Sequence, residues 1–138
     1  MFVTAWVGIL DLDNGNLTYA SAGHNPPIVV DSNDGKAHQL ETKVSLVLGG
    51  LPDVKYKNNK GTFNPGQILV LYTDGVSEAN DPKGHLYGEP KLLMLLEKLS
   101  QNNCKEICEK TIEDVDKFAK GAEQFDDITI LALKYLPN

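Results

Sequence analysis

The sequence predicts a mixed α/β domain in which antiparallel strands come first and helices come late. Three observations carry this prediction. The 138 residues, 41% of them hydrophobic, are enough for one globular domain whose core needs no disulfide or metal. Two strand–turn–strand patterns fill the first forty residues, and short turns join antiparallel strands. Two helical patterns and a last strand pattern follow. We therefore expect residues 1–138 to form a single domain.

The first forty residues predict two β-hairpins. The first joins FVTAWVGIL to LTYASA through the Asn14-Gly15 turn. Because FVTAWVGIL is apolar at odd and even positions alike, we expect it to be covered on both faces and to be a central strand. The second hairpin joins PIVV to AHQL, with Gly35 as the residue of positive φ.

The middle of the chain is less regular and ends in a strongly apolar strand. Residues 41–66 are interrupted by glycine and proline, and the segment VKYKNNKGTF within them is basic and polar enough for an exposed edge. The run QILVLY, residues 67–72, follows a Pro-Gly turn and is nearly all apolar. It predicts a strand buried on both faces.

Two helices and a strand are predicted after residue 88. EPKLLMLLEKLS has proline in its first turn and a stripe of leucines. CKEICEKTIEDVDKFAK follows Asn103 as a predicted N-cap and stops before Gly121, which suits a helix C-terminus. ITILALKYL predicts the terminal strand. We expect both helices to pack against a sheet.

Cys104 and Cys108 are the only cysteines, and their spacing of four predicts that they share one face of a helix. A redox or metal-binding pair is one interpretation. No histidine is near enough in sequence to complete a metal site, so the interpretation that we prefer is two reduced thiols in or near the core.

Charge and hydropathy exclude some classes of partner. Thirteen Lys and Arg stand against nineteen Asp and Glu, and the net charge of −6 repels a phosphate backbone, so we expect no nucleic-acid partner. No run of about eighteen apolar residues is present, and the first residues lack the basic region and cleavage site of a signal peptide. We expect a cytoplasmic protein without direct membrane contact.

Acidic residues stand at the ends of two predicted strands. Asp74 follows QILVLY, and Asp126 with Asp127 precedes the terminal strand. Strand ends hold carboxylates rigidly, and two such ends side by side would suit a hard cation such as Mg²⁺ or Mn²⁺. Aspartate and glycine are also common turn residues, so TDG can be a turn and DD a solvated loop. Spacing alone leaves both interpretations open and favours the turn and the loop.

Three motifs, in order along the chain, resemble those of a known enzyme family. They are GNLTYASAGHNPP, YTDGVSEA and FDDITILAL, with the two helices between the second and the third. Together they resemble the PPM (type 2C) metal-dependent serine/threonine phosphatases, and within them the bacterial SpoIIE/RsbU-like branch. The resemblance implies an antiparallel β-sandwich flanked by helices, in an α-β-β-α order of layers.

The resemblance also implies the site and its chemistry. Asp74 and Asp126 match metal-ligating aspartates of the family, and Asp127 matches the neighbouring, usually polar position. The family uses two Mn²⁺ or Mg²⁺ ions, which activate a water to attack phosphorus in line and offset the charge of the phosphoryl oxygens.

Four further residues are candidates for the surroundings of the metal site. Gly75 adjoins Asp74, and Glu78 would share a face with Asp74 if GVSEA opens a helix. Gly75 and Glu78 would contact the metal ligands, or reach the metal through a water, without binding the metal directly. His24 and Asn25, in SAGHNPP, are candidates for positions near the site. For His24 we prefer a conformational role, with the ring hydrogen-bonded to backbone, over a role beside substrate.

The chain departs from the family pattern at one motif. Family members carry a Gly-Asp-Val-Ser-Gly-like stretch upstream of the segment that matches FVTAWVGILDL, and its aspartate and glycine carbonyl bind both ions; nothing here corresponds to it. We therefore expect this chain to be the C-terminal part of a phosphatase domain truncated at its N-terminus. Alone it should have little or no activity, with uncovered apolar surface on the first sheet that favours a homodimer or a swapped assembly.

The substrate class follows from the resemblance as well. It implies a phosphorylated anti-anti-sigma-type protein as substrate, and hence a role in bacterial signal transduction and sigma factor regulation. The alternative is a non-catalytic pseudophosphatase-like module that binds a regulatory protein. The acidic strand ends argue against this alternative, because a purely binding copy has no chemical need for them.

Overall fold

The computed structural model describes residues 1–43 and 45–136, which form seven strands and three helices. In chain order they are β1 (Ala5–Leu10), β2 (Asn16–Ala22), β3 (Ile28–Asp31), β4 (Lys36–Gln39), β5 (Asn59–Thr62), β6 (Gln67–Tyr72), α1 (Asp74–Ser77), α2 (Glu89–Lys98), α3 (Cys104–Phe118) and β7 (Ile130–Lys134). Within these described ranges, no helix is both long and apolar enough to cross a membrane.

The strands form two antiparallel sheets. The first sheet has the order β1-β2-β5 and the second the order β4-β3-β6-β7. Every strand pair is antiparallel, and β6 pairs with β3 on one side and β7 on the other. The predicted fold class, antiparallel sheets with helices outside, is confirmed.

Strand alternation divides the core into two layers. In β3 and β6, Val29 and Leu69 face the first sheet, where they pack with Leu17, Tyr19 and Phe63. The residues on either side of Val29 in β3 and of Leu69 in β6 face the opposite side of the sheet and pack against the helices. This helix-side cluster comprises Ile28, Val30, Ile68, Val70, Tyr72, Val76, Tyr87, Leu92, Leu96, Leu99, Ile107 and Val115. QILVLY is therefore buried on both faces, as predicted.

The helices pack on the second sheet and begin at predicted signals. α2 contacts β3 and β4, and α3 contacts β7. The Asn103 side chain accepts a hydrogen bond from the Glu106 amide at 2.9 Å, which caps α3. Cys104 and Cys108 are half-buried free thiols, and burial raises the pKa of Cys108. A thiol with a raised pKa holds little thiolate, which agrees with the preferred inert interpretation.

The prediction that the first strand is central was wrong. β1 pairs only with β2 and is the edge of its sheet, and among the described residues no helix covers its outer face. Val7 and Ile9 on that face are 63% and 72% exposed. Apolar residues on both alternating faces are typical of a strand that is covered on both sides. The pattern does not show which part of the molecule provides the second cover.

Candidate metal centre

The predicted site residues meet at one small cavity. It has a volume of about 220 Å³ and is lined by Thr4, Gly23, His24, Asn25, Thr73, Asp74, Asp126 and Asp127. The cavity lies where the β2–β3 connection, the end of β6 and the segment before β7 come together. Both acidic strand ends therefore face the same space, because β6 and β7 are antiparallel neighbours.

Asp74 is held by Asn25, which lies in the connection between β2 of the first sheet and β3 of the second. Asn25 Nδ2 donates a hydrogen bond of 2.8 Å to Asp74 Oδ1. Asp74 is the first residue of α1 and is exposed, and the bond engages one of its two carboxylate oxygens. An amide donor on one oxygen orients a carboxylate in the way that partners of metal ligands do.

Thr73 joins the two strand ends, and the sequence reasoning did not single it out. Its Oγ1 donates to the Asp127 carbonyl at 2.8 Å and accepts from the Thr129 amide at 3.0 Å. Its own amide donates to the Thr129 carbonyl at 3.1 Å. These bonds extend the β6–β7 pairing past the last paired residues and set the distance between the two acidic ends. Its place in TDG was the only available signal.

Gly75 allows this close approach. A Cβ at this position would lie 2.3 Å from the Asp127 carbonyl oxygen and 3.1 Å from that of Asp126. Real Cβ atoms essentially never lie as close as 2.3 Å to a backbone atom. The glycine of the TDG motif is thus required by packing between the two strand ends.

Asp126 and Asp127 are both exposed, and local bonds shape their turn. Asp126 Oδ1 accepts from the Asp127 amide at 2.8 Å, and Gln124 Nε2 donates to the Asp126 carbonyl at 2.8 Å. One Asp126 carboxylate oxygen is thus engaged locally. The turn interpretation and the ligand interpretation are compatible here, because the same carboxylate can order its turn and present its second oxygen to a cation.

His24 lies at the cavity with a different partner from the one predicted. Its ring Nδ1 is 3.1 Å from the Thr4 hydroxyl, so the ring bonds to a side chain and not to backbone. The His24 carbonyl accepts from Ser21 Oγ at 3.2 Å. The prediction of a conformational role thus had the wrong ring partner, because Thr4 is twenty residues away in sequence.

Glu78 and Gly75 face a second space beside the candidate metal centre. They line a larger cavity of about 480 Å³, to which Asp126 also contributes. Asp126 therefore forms a shared wall of the two cavities. Contacts of Glu78 with a metal stay a prediction.

The donors at the small cavity suit a hard cation in type but are few in number. Three carboxylates and an amide supply the oxygen ligands that Mg²⁺ and Mn²⁺ take. Within residues 1–43 and 45–136, however, no three His, Cys, Asp or Glu side chains stand close enough together to hold one ion. Asp74 and Asp126, the two residues predicted as metal ligands, both line this cavity.

Comparison with known proteins identifies relatives along the whole chain. The family model for stage II sporulation protein E (SpoIIE) matches residues 1–136. Protein IcfG of Synechocystis sp. is 35% identical over 96% of this chain and 20% of its own length. The phosphoserine phosphatase RsbU of Bacillus subtilis is 31% identical over 97% of this chain and 39% of its own. The chain thus spans well under half the length of these relatives.

Solved structures show the same fold. The RsbU and RsbW domains of Rv1364c from Mycobacterium tuberculosis match with a TM-score of 0.79 at 27% identity, over 95% of this chain and 35% of that one. The manganese-presoaked phosphatase domain of SpoIIE from Bacillus subtilis matches with a TM-score of 0.75 at 18% identity, over 98% and 57% of the two chains. The second likeness concerns the fold alone.

Proposed function

The chain belongs to the SpoIIE family, and from this membership we propose that the protein carrying it is a metal-dependent phosphatase of phosphoserine in a regulatory protein. One observation carries the proposal: Asp74 after β6 and Asp126 before β7 line one cavity, and Asn25 orients Asp74 from the opposite side. A turn residue needs no partner 49 positions away in sequence, whereas a metal ligand does need an orienting bond.

The proposal includes two Mn²⁺ or Mg²⁺ ions. Asp74 and Asp126 would hold them together with ligands from outside the described residues. When bound, such ions supply a water of lowered pKa and offset the charge of the phosphoryl oxygens. The similar SpoIIE phosphatase domain was presoaked with manganese, which supports this choice of ion for a related fold.

The substrate that we propose is a phosphorylated anti-anti-sigma-type protein in the cytoplasm. Support comes from the relatives, one a phosphoserine phosphatase and one a chain that joins RsbU and RsbW domains. We further propose that residues 1–138 are the C-terminal part of a longer phosphatase domain. This portion alone should have little or no activity, because its described residues hold too few ligands for one ion.

The test is manganese-dependent hydrolysis of a phosphoserine protein by the full-length protein. Asp74→Asn and Asp126→Asn should each lower the rate by more than about a hundredfold, since even outer partners of metal ligands are worth about 10- to 100-fold. Asp13→Asn is the matched control, because Asp13 lies in the exposed turn between β1 and β2, away from the cavity.

Two outcomes would contradict the proposal. If the full-length protein hydrolyses no phosphoserine protein with Mn²⁺ or Mg²⁺, the alternative of a non-catalytic binding module takes its place. If the two aspartate variants behave like the Asp13 variant, the strand-end carboxylates are turn residues and the metal site is elsewhere.

A further inference from the structure

The larger cavity is a groove beside the candidate metal centre. It has a volume of about 480 Å³ and lies between α1, the loop after it, the C-terminal half of α3 and the segment 119–128. Asp126 forms the wall between groove and metal cavity, so a chain bound in the groove would continue directly to the metals.

The groove has an apolar lining that is open to solvent. Leu86 and Phe125 are 60% and 77% exposed at its rim, while Val115 is fully buried at its base. Ala119 and Ala122 add small side chains between them. Exposed leucine and phenylalanine around a concave site are typical of a surface that binds a partner's apolar side chain.

The charged side chains that line the groove have one sign. Glu78, Asp116, Glu123 and Asp126 line it, and none of the four is in an ion pair with the described part of the chain. Lys83, Lys117 and Lys120 belong to the same segments but, in the described ranges, no lysine or arginine contributes to the lining. Four carboxylates at an apolar groove are complementary to an apolar residue that is accompanied by a basic one.

From these observations we propose that the groove binds the phosphoprotein substrate next to its phosphoserine, through an apolar side chain flanked by lysine or arginine. The inference rests on the proposed phosphatase function and adds to it the part of the substrate that is recognised. The carboxylates repel the phosphate from the groove and so favour its placement on the metal side of Asp126, whereas the basic residue is attracted. The groove would thereby bind the substrate protein, and the neighbouring metal cavity would hold the phosphate that is hydrolysed.

Binding of two peptides to the full-length, manganese-loaded protein tests this inference. One fluorescent phosphoserine peptide carries Leu-Arg pairs within four residues on both sides of the phosphoserine, and the other carries Ser-Glu at the same positions. Fluorescence anisotropy gives the dissociation constant of each. We expect the Leu-Arg peptide to bind at least about tenfold more tightly.

Matched variants assign that preference to the groove. Asp116→Lys combined with Glu123→Lys, and separately Phe125→Ser, should remove the preference. Glu113→Lys combined with Asp13→Lys makes the same charge change on two exposed residues that do not line the groove, and it should keep the preference. Thermal melting of every variant checks that it is folded.

The outcomes separate this inference from the function on which it rests. Equal affinity for the two peptides, or a preference that survives both groove variants, overturns the groove inference. A preference that the groove variants remove, without hydrolysis of either peptide, supports the groove and counts against the phosphatase function. A preference lost equally in the combined Glu113 and Asp13 variant would show a general charge effect and would also overturn the groove inference.

Discussion

The two sheets differ in what covers their outer faces. The second sheet carries α2 and α3 on its outer side, where Ile28, Val30 and Ile68 are fully buried. The first sheet presents Val7 and Ile9 to solvent on its outer side. This face is apolar on β1 but carries Thr18, Lys60 and Thr62 on β2 and β5, so the two sheets differ both in their cover and in the side chains beneath it.

This contrast bears on the candidate metal centre, which lies where the sheets meet. Asn25 and His24 come from the connection that leaves the first sheet, while Asp74 and Asp126 stand at strand ends of the second. The second sheet, with its helices, supplies the carboxylates. The connection from the first sheet supplies Asn25, which orients Asp74, and the first sheet is the one whose outer face is open.

A pair of isoleucine truncations measures the contrast most directly. Ile68→Ala removes a fully buried side chain under the helices and should lower the free energy of unfolding by about 2–5 kcal/mol. Ile9→Ala makes the same chemical change on the open face and should stay within about 0.5 kcal/mol. Urea denaturation at a concentration low enough to keep the chain monomeric measures both. Equal losses would mean that the face around Ile9 is covered within the monomer.

The junction between the β6 and β7 ends should respond next most strongly. Gly75→Ala places a methyl group against the Asp127 carbonyl, and such overpacking costs typically about 1–3 kcal/mol. Gly61→Ala in β5 is the control, because the nearest atom to its added Cβ is 3.9 Å away. Thermal unfolding compares the two, and a Gly75 variant as stable as the Gly61 variant would contradict the close approach.

A smaller loss is expected at Thr73, which joins the same two strand ends. Thr73→Val removes the hydroxyl and its two hydrogen bonds and should cost about 1 kcal/mol. Thr73→Ser retains the hydroxyl and should recover most of that stability. If the valine variant is as stable as the serine variant, the hydroxyl bonds do not hold the strand ends together. Chemical denaturation distinguishes the two results.

Substitutions on the open face of the first sheet should have the smallest effect on the free energy of unfolding. They should nevertheless change self-association measurably. The 138-residue chain should self-associate through that face, and Val7→Thr with Ile9→Thr should weaken the association while keeping β-branched side chains. Sedimentation velocity over a range of concentrations measures it. A chain that is monomeric at every concentration would contradict the predicted homodimer.

Local signals predicted the elements well, and long-range contacts explain what was missed. Gly15 and Gly35 have the positive φ expected of their hairpin turns, and Asn103 caps its helix. These features depend on neighbours in sequence. The edge position of β1 could not be predicted, because its apolar pattern is the same whether strands, helices or another chain provide the cover.

The same distinction holds within the candidate site. Asp74 and Asp126 were identified through the resemblance of their motifs, and the antiparallel pairing of β6 with β7 brings their strand ends together. The bonds from Asn25 to Asp74 and from Thr73 to Asp127 span 49 and 54 residues. Neither hydrophobic periodicity nor turn residues report on pairs so far apart in sequence. The orientation of the carboxylates could therefore be seen only in the structure.

Those two long spans also bear on the order of folding. A contact that closes a loop of about fifty residues forms only after the entropy of closing that loop has been overcome. Asn25 reaches Asp74 only when the connection between the sheets is in place, and Thr73 reaches Asp127 only when β7 has added to β6. We therefore expect the cavity to be among the last parts of the domain to form, and the acidic strand ends to stay apart until then. A nascent chain would thus bring its acidic strand ends to one cavity in a single late step, together with its complete fold.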